Sequence, residues 1–123
     1  MMYSIEFYED EKGNSEVWSF LEELRVKSKN NKDARIQFRQ ISLQLELLKN
    51  NGTHQPADNV KHIEDGIWEI RPGSNRVFFF HFKDGKFVLL HHYRKKTQKA
   101  PKLEIERAKV KRDDYIRLME GRK

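Results

Sequence analysis

The sequence predicts an α+β fold: two N-terminal helices packed on a mainly antiparallel sheet of four strands, with a basic C-terminal helix after it. Three observations carry this. The chain opens with strict two-residue alternation, continues with two stretches whose apolar residues recur at spacings of three and four, and then places three apolar runs between tight-turn residues. Its 123 residues suit one domain, since single cores are usually built from about 100 to 200 residues. The expected unit is residues 1–123, with a basic segment at 94–123.

Tyr3, Ile5 and Phe7 alternate with Ser4, Glu6 and Tyr8, so the first strand is read over about Met2 to Tyr8 with one buried face. Acidic and turn residues Glu9 to Gly13 follow. Asn14 or Ser15 then offers a capping oxygen to a helix whose stripe is Val17, Phe20, Leu21 and Leu24. After Ser28 to Asn31, a second helix is expected over about Lys32 to Lys49, with Ala34, Phe38, Ile41, Leu45 and Leu48 on one side. Asn51 and Gly52 stop it. The stretch Gln55 to Asp65 is polar and reads as a loop with a short edge strand around Val60 to Ile63.

Ile67 to Arg71 alternates again, with Trp68 and Ile70 on one face and Glu69 and Arg71 on the solvent side. The turn residues Pro72 to Asn75 lead into Arg76 to Lys83, where Val77, Phe78, Phe79, Phe80 and Phe82 form a nearly unbroken apolar run. Such a run fits a central strand covered on both faces. Asp84-Gly85 marks a two-residue hairpin into Phe87 to Tyr93. Pro101 suits the first turn of the last helix, and early Glu104 and Glu106 with later Lys109, Lys111 and Arg112 match the helix dipole. Its stripe of Ile105, Ala108, Tyr115 and Met119 is thin, so the helix is expected to pack by one edge only or to be partly mobile, and all helices are expected against one face of the sheet.

Several function classes lack support. The chain has no cysteine, which removes disulfides, thiolate zinc sites and a cysteine nucleophile. It has no phosphate-loop, dinucleotide, zinc-protease or serine-hydrolase motif, and its five histidines do not show metal-ligand spacing. No metal and no cofactor are expected. No run of about 20 apolar residues is present, and the opening lacks a signal-peptide pattern, so a soluble cytoplasmic protein without membrane attachment is expected.

The charge is uneven. Residues 94–123 hold 12 Lys or Arg against 5 Asp or Glu, leaving 13 against 14 in the first 93, so the C-terminal quarter accounts for the whole net charge of +6. A basic segment of this kind is the footprint of a polyanionic partner, or else a solvated helix face. Pairing of the strands around Pro72 to Asn75 brings Arg71 and Arg76 within reach of each other, and Tyr93 to Lys96 leave the neighbouring strand. Guanidinium forks bind phosphate oxygens and an aromatic ring can stack an unpaired base, a set suited to single-stranded RNA and to its cleavage without metal. The bland alternative is a group of ordinary strand-end charges.

Three stretches carry a resemblance: Lys61-His62-Ile63-Glu64-Asp65-Gly66-Ile67-Trp68-Glu69-Ile70-Arg71-Pro72-Gly73, then Asn75-Arg76-Val77-Phe78-Phe79-Phe80, then Leu89-Leu90-His91-His92-Tyr93-Arg94-Lys95-Lys96-Thr97-Gln98-Lys99-Ala100-Pro101. With these the chain closely resembles the phage-derived HigB-like toxins of the RelE/ParE superfamily, over nearly its whole length. The resemblance implies a RelE-like fold and the toxin of a type II toxin–antitoxin pair, usually an endoribonuclease that enters the ribosomal 30S A site and cuts mRNA. It implies a helix-turn-helix antitoxin, HigA-like, as partner. By character, Arg71 and Arg76 match the phosphate-holding arginines, and His92, Tyr93, Lys95 and Lys96 match the basic and aromatic residues at the end of the last strand. The segment has HisHisTyr where relatives often show HisGlyPhe. Arg94, Lys99, Lys102 and Arg112 are the expected RNA-binding residues, and Lys96 the expected proton-transfer group. Alternatives are a ParE-like inhibitor of DNA gyrase and an inactive antitoxin-binding module.

Overall fold

The sheet is wired so that the first strand lies against the last. A computed structural model describes residues 2–96 and 101–121. The elements are β1 (Ser4–Phe7), α1 (Glu16–Lys27), α2 (Lys32–Asn51), β2 (Val60–Glu64), β3 (Ile67–Ile70), β4 (Asn75–Phe82), β5 (Lys86–Arg94) and α3 (Lys102–Glu120). Spatial order is β1-β5-β4-β3-β2. β2 through β5 are antiparallel neighbours, whereas β1 runs parallel to β5 with Phe7 opposite Leu89.

The sheet therefore has five strands rather than four, and it is mixed. The short edge strand read around Val60 to Ile63 is present as Val60–Glu64 and supplies the fifth strand, pairing with Ile67–Ile70 across Asp65-Gly66, both at positive φ (49° and 75°). That turn geometry matches the twist of the two strands and aligns them despite the polar sequence. The β4–β5 connection is three residues, 83–85, instead of two, with Phe82 opposite Lys86.

Ser15 caps α1 by accepting from the Trp18 N–H (3.2 Å), and Asn31 caps α2 by accepting from the Ala34 N–H (2.9 Å). Their apolar stripes cover one sheet face, where Val17 and Leu48 meet Ile70, Val77, Phe79, Phe87 and Leu89. The opposite face is not left to solvent. Ile105, Ala108 and Tyr115 of α3 pack on Ile67, Phe78, Phe80, Val88, Leu90 and Tyr93, so helices lie on both faces. The expectation of a loosely attached last helix fails for a physical reason: β4 points phenylalanines to both sides, and the second side needs a cover. Each of Ile105 and Tyr115 withdraws enough apolar surface to contribute roughly 1.5–3 kcal/mol.

Polar contacts fasten α3 along its length. Lys109 pairs with Glu64 at 2.5 Å, Tyr8 donates to Asp114 at 2.6 Å, and Tyr115 donates to Glu6 at 2.7 Å. The run from Phe78 opposite His91 to Phe79 opposite Leu89 leaves Leu90 as an extra residue in β5. This bulge lets Leu90 and His91 both address the α3 side, resetting the pleat. Beyond it, Tyr93 faces α3 and His92 faces α1.

Candidate functional site

At the end of the sheet where β3 turns into β4, a buried acidic residue sits among cations. The pairing of Ile70 with Val77 brings Arg71 next to Arg76, and Arg76 lies opposite Tyr93. Glu69, read from the sequence as solvent-side, is only 3% exposed, and Arg76 only 7%. Glu69 Oε1 lies 3.6 Å from Arg71 Nε and 3.8 Å from Arg76 Nε, while Glu69 Oε2 accepts from the Tyr93 hydroxyl at 2.9 Å. The cover provided by α3 explains the correction: once both faces are occupied, a strand carboxylate between Trp68 and Ile70 goes inside and must find counter-charges.

The remaining donors of the two arginines are fixed on main chain. Arg71 Nη1 donates to the Ala57 carbonyl (3.1 Å), and Arg76 Nη1 donates to the carbonyls of Gly73 (2.7 Å) and Asn75 (2.8 Å). Both Nε atoms are buried without a hydrogen-bond partner. Burial weakens the hold of Arg76 on its proton and the Glu69 carboxylate opposes that loss, so the guanidinium stays charged. Burial first, and then Glu69, push the Tyr93 phenol well above the usual tyrosine range. That hydroxyl is a held donor rather than a base.

The expected basic residues divide into two groups. Lys95 leaves β5 with its N–H on the Ser74 carbonyl (2.8 Å), which ties the strand exit to the β3–β4 turn. Lys96 is exposed and shares with Tyr93, Arg94, Pro101 and Glu104 a pocket of about 490 Å³. Arg94 and Lys102 are exposed beside it, and Lys99 lies outside the described residues. The second group is elsewhere. His92 points to the helical hairpin, stacks on Phe20 with centroids 3.6 Å apart, and lies 3.0 Å from Asn75 Oδ1. Burial lowers its pKa to about 4, leaving it neutral at pH 7. Arg112 clamps the distant β2–β3 turn through the Asp65 carbonyl and carboxylate and also holds Asp113. The structure thus removes His92 and Arg112 from the cluster.

Two residues join it that the sequence did not single out. Glu69 is one, and its signal was available: a carboxylate flanked by Trp68 and Ile70 beside a strand read as covered on both faces. Lys61 is the other, directly opposite Glu69 on the edge strand β2 and exposed. It was unreadable without the pairing register. Among the described residues, no group of three or more His, Asp or Glu side chains gathers as a metal site would, and no helix is long and apolar enough to cross a membrane. A pocket of about 620 Å³ between β1 and α1 has Glu6 and Glu9 in its lining, a charge that disfavours phosphate.

A family model described as phage derived protein Gp49-like (DUF891) matches residues 31–113, a span that includes all of Lys61, Glu69, Arg71, Arg76, Tyr93, Lys95 and Lys96. The chain belongs to this Gp49-like family. No curated protein matches it. The Gp49-like match runs from the start of α2 into the second half of α3, so it covers four of the five strands and α3 as far as Asp113.

Proposed function

We propose that this Gp49-like protein is the toxin of a type II toxin–antitoxin system and acts as an endoribonuclease that cuts mRNA on the ribosome. The observation that carries this reading is the convergence of Arg71 and Arg76 on one point at the sheet end, with Arg94, Lys95 and Lys96 at the adjoining strand exit. Guanidinium groups so placed take phosphate oxygens and stabilise the extra charge of a phosphorane. In the reaction the 2′-hydroxyl gives its proton to solvent water and its oxygen bonds to phosphorus. The bond from phosphorus to the 5′-oxygen breaks, giving a 2′,3′-cyclic phosphate and a protonated 5′-hydroxyl. Lys96, exposed at the strand exit, is the group assigned to deliver that last proton. Tyr93 orients the cluster without exchanging its own.

Arg94 and Lys102 extend the positive surface beyond the scissile position and supply contacts along the RNA backbone. The neutralising partner in this reading is an antitoxin of the helix-turn-helix type. A short pulse of expression tests the proposal. Rapid loss of translation with mRNA ends at defined positions supports it, and Arg71→Ala and Lys96→Ala should abolish those ends. Induction of the DNA-damage response with intact mRNA instead supports gyrase inhibition, and the absence of any growth effect supports a binding module.

A further inference from the structure

We propose that Glu69 is a positioning residue that keeps the two guanidinium groups side by side and oriented for phosphate. The inference rests on the phosphate-binding reading of the Arg71–Arg76 cluster and assigns a role to the carboxylate within it. One oxygen of Glu69 faces both Nε atoms, at 3.6 and 3.8 Å. These separations give Coulomb attraction yet exceed the roughly 2.7–3.2 Å of an N–H···O bond. The other oxygen is occupied by the Tyr93 hydroxyl at 2.9 Å, which fixes the carboxylate's rotation and keeps it from closing onto either arginine.

The charge is needed where it is. Two guanidiniums converging in a site where Arg76 keeps only 9% of its side-chain exposure would repel each other without an anion between them. The observed arrangement avoids that penalty: Nη1 of each arginine is tied to main-chain carbonyls, and the buried Nε edges face Glu69, which balances the charge and fixes how the two planes stand.

The test uses the full chain and its Glu69→Gln, Glu69→Asp and Tyr93→Phe variants, with inorganic phosphate as probe. Arginine Nε–H signals are followed by NMR during the titration, and single-turnover mRNA cleavage is measured beside it. Expected is a phosphate midpoint at least tenfold weaker in Glu69→Gln with a similar loss of cleavage rate, partial recovery in Glu69→Asp, and an intermediate loss in Tyr93→Phe. If Glu69→Gln does not fold, Glu69→Asp and Tyr93→Phe carry the test through the same signals, and wild-type midpoints in both overturn the proposal. An unchanged midpoint in folded Glu69→Gln overturns it, and so does a tighter one, which would make the carboxylate a competitor of phosphate. A wild type whose phosphate binding depends on Glu69 but which cuts no RNA supports the positioning role and removes the nuclease reading. Cleavage that is unaffected by Glu69→Gln does the reverse.

Discussion

Replacing Arg76 by alanine should destabilise the fold markedly, in contrast to the small cost an exposed strand-end arginine would carry. The side chain donates to the carbonyls of Gly73 and Asn75 at 2.7 and 2.8 Å and supplies one of two cations facing the buried Glu69. Gly73 is exposed and water replaces that donor, whereas Asn75 is 1% exposed, so the second loss costs about 1 kcal/mol. Removing one partner from a buried ion pair costs about 3–5 kcal/mol when nothing else remains. Arg71 and the Tyr93 hydroxyl still face Glu69 in the variant, which places this term at or below the lower bound. The sum is about 3–4 kcal/mol, less than the ~5–15 kcal/mol of a typical domain, so the variant still folds. For a chain of this size the melting temperature should fall by about 10–15 °C. Thermal melts and guanidinium curves with unchanged m-value measure it. Arg76→Lys, which keeps the charge and loses the fork, should fall roughly half as far. A melting temperature for Arg76→Ala within about 2 °C of wild type would refute the reasoning, because the Glu69 cluster would then carry no stability.

Lys96→Ala should leave stability within about 0.5 kcal/mol, since the residue is exposed, while mRNA cleavage falls by about a hundredfold or more; cleavage at the wild-type rate removes Lys96 as the proton donor. His92, with its pKa near 4 in the fold against about 6.5 in an unfolded chain, binds its proton first in the unfolded state. Its contribution is therefore full above about pH 6.5 and is lost as pH falls towards 4, at no more than about 1.4 kcal/mol per pH unit. Denaturant titrations at pH 6.5 and 5 should show a steeper decline for wild type than for His92→Gln, and equal declines would contradict the assignment. Gly52→Ala should cost about 2 kcal/mol or more in a urea titration, because φ is 60° and the new Cβ would meet the Tyr3 ring at 2.7 Å; an unchanged midpoint would mean that the end of α2 relaxes freely.

Much of the fold was legible because it is written in local periodicity. Both N-terminal helices and the three apolar strands follow from spacing and turn chemistry, and Ser15, one of two residues offered as the cap of α1, is the one that caps it. What local reading could not reach were facts about partners. The parallel seating of β1 on β5 has no signature within Ser4–Phe7. The second helical layer was implied by Phe78 and Phe80, since a central strand apolar on both sides requires cover on both, but the thin stripe on α3 hid which element supplies it. Within the candidate site, Arg71 and Arg76 came from the hairpin alone. The loss of His92 from the cluster depended on a single extra residue at Leu90, because a bulge shifts the pleat by one and moves every following side chain to the other face, whereas the burial of Glu69 followed from the cover over the second face. Lys61 depended on register with Glu69, which only the folded sheet defines.

The pairing of the first strand with the last has a consequence for how the protein is made. Phe7 leaves the synthesis machinery 82 residues ahead of Leu89, its partner, an interval of about 4–16 s at the usual elongation rates of roughly 5–20 residues per second. The α1–α2 hairpin can form in that time, but β1 has no edge to join until β5 is complete. Even then Glu6 and Tyr8 wait for Tyr115 and Asp114 to close over them. A chain arrested before α3 would present Phe78, Phe80, Val88 and Leu90 as a bare apolar surface, a substrate for chaperones or proteases. Premature termination therefore yields a product destined for clearance, and the assembled cluster belongs only to chains that include α3.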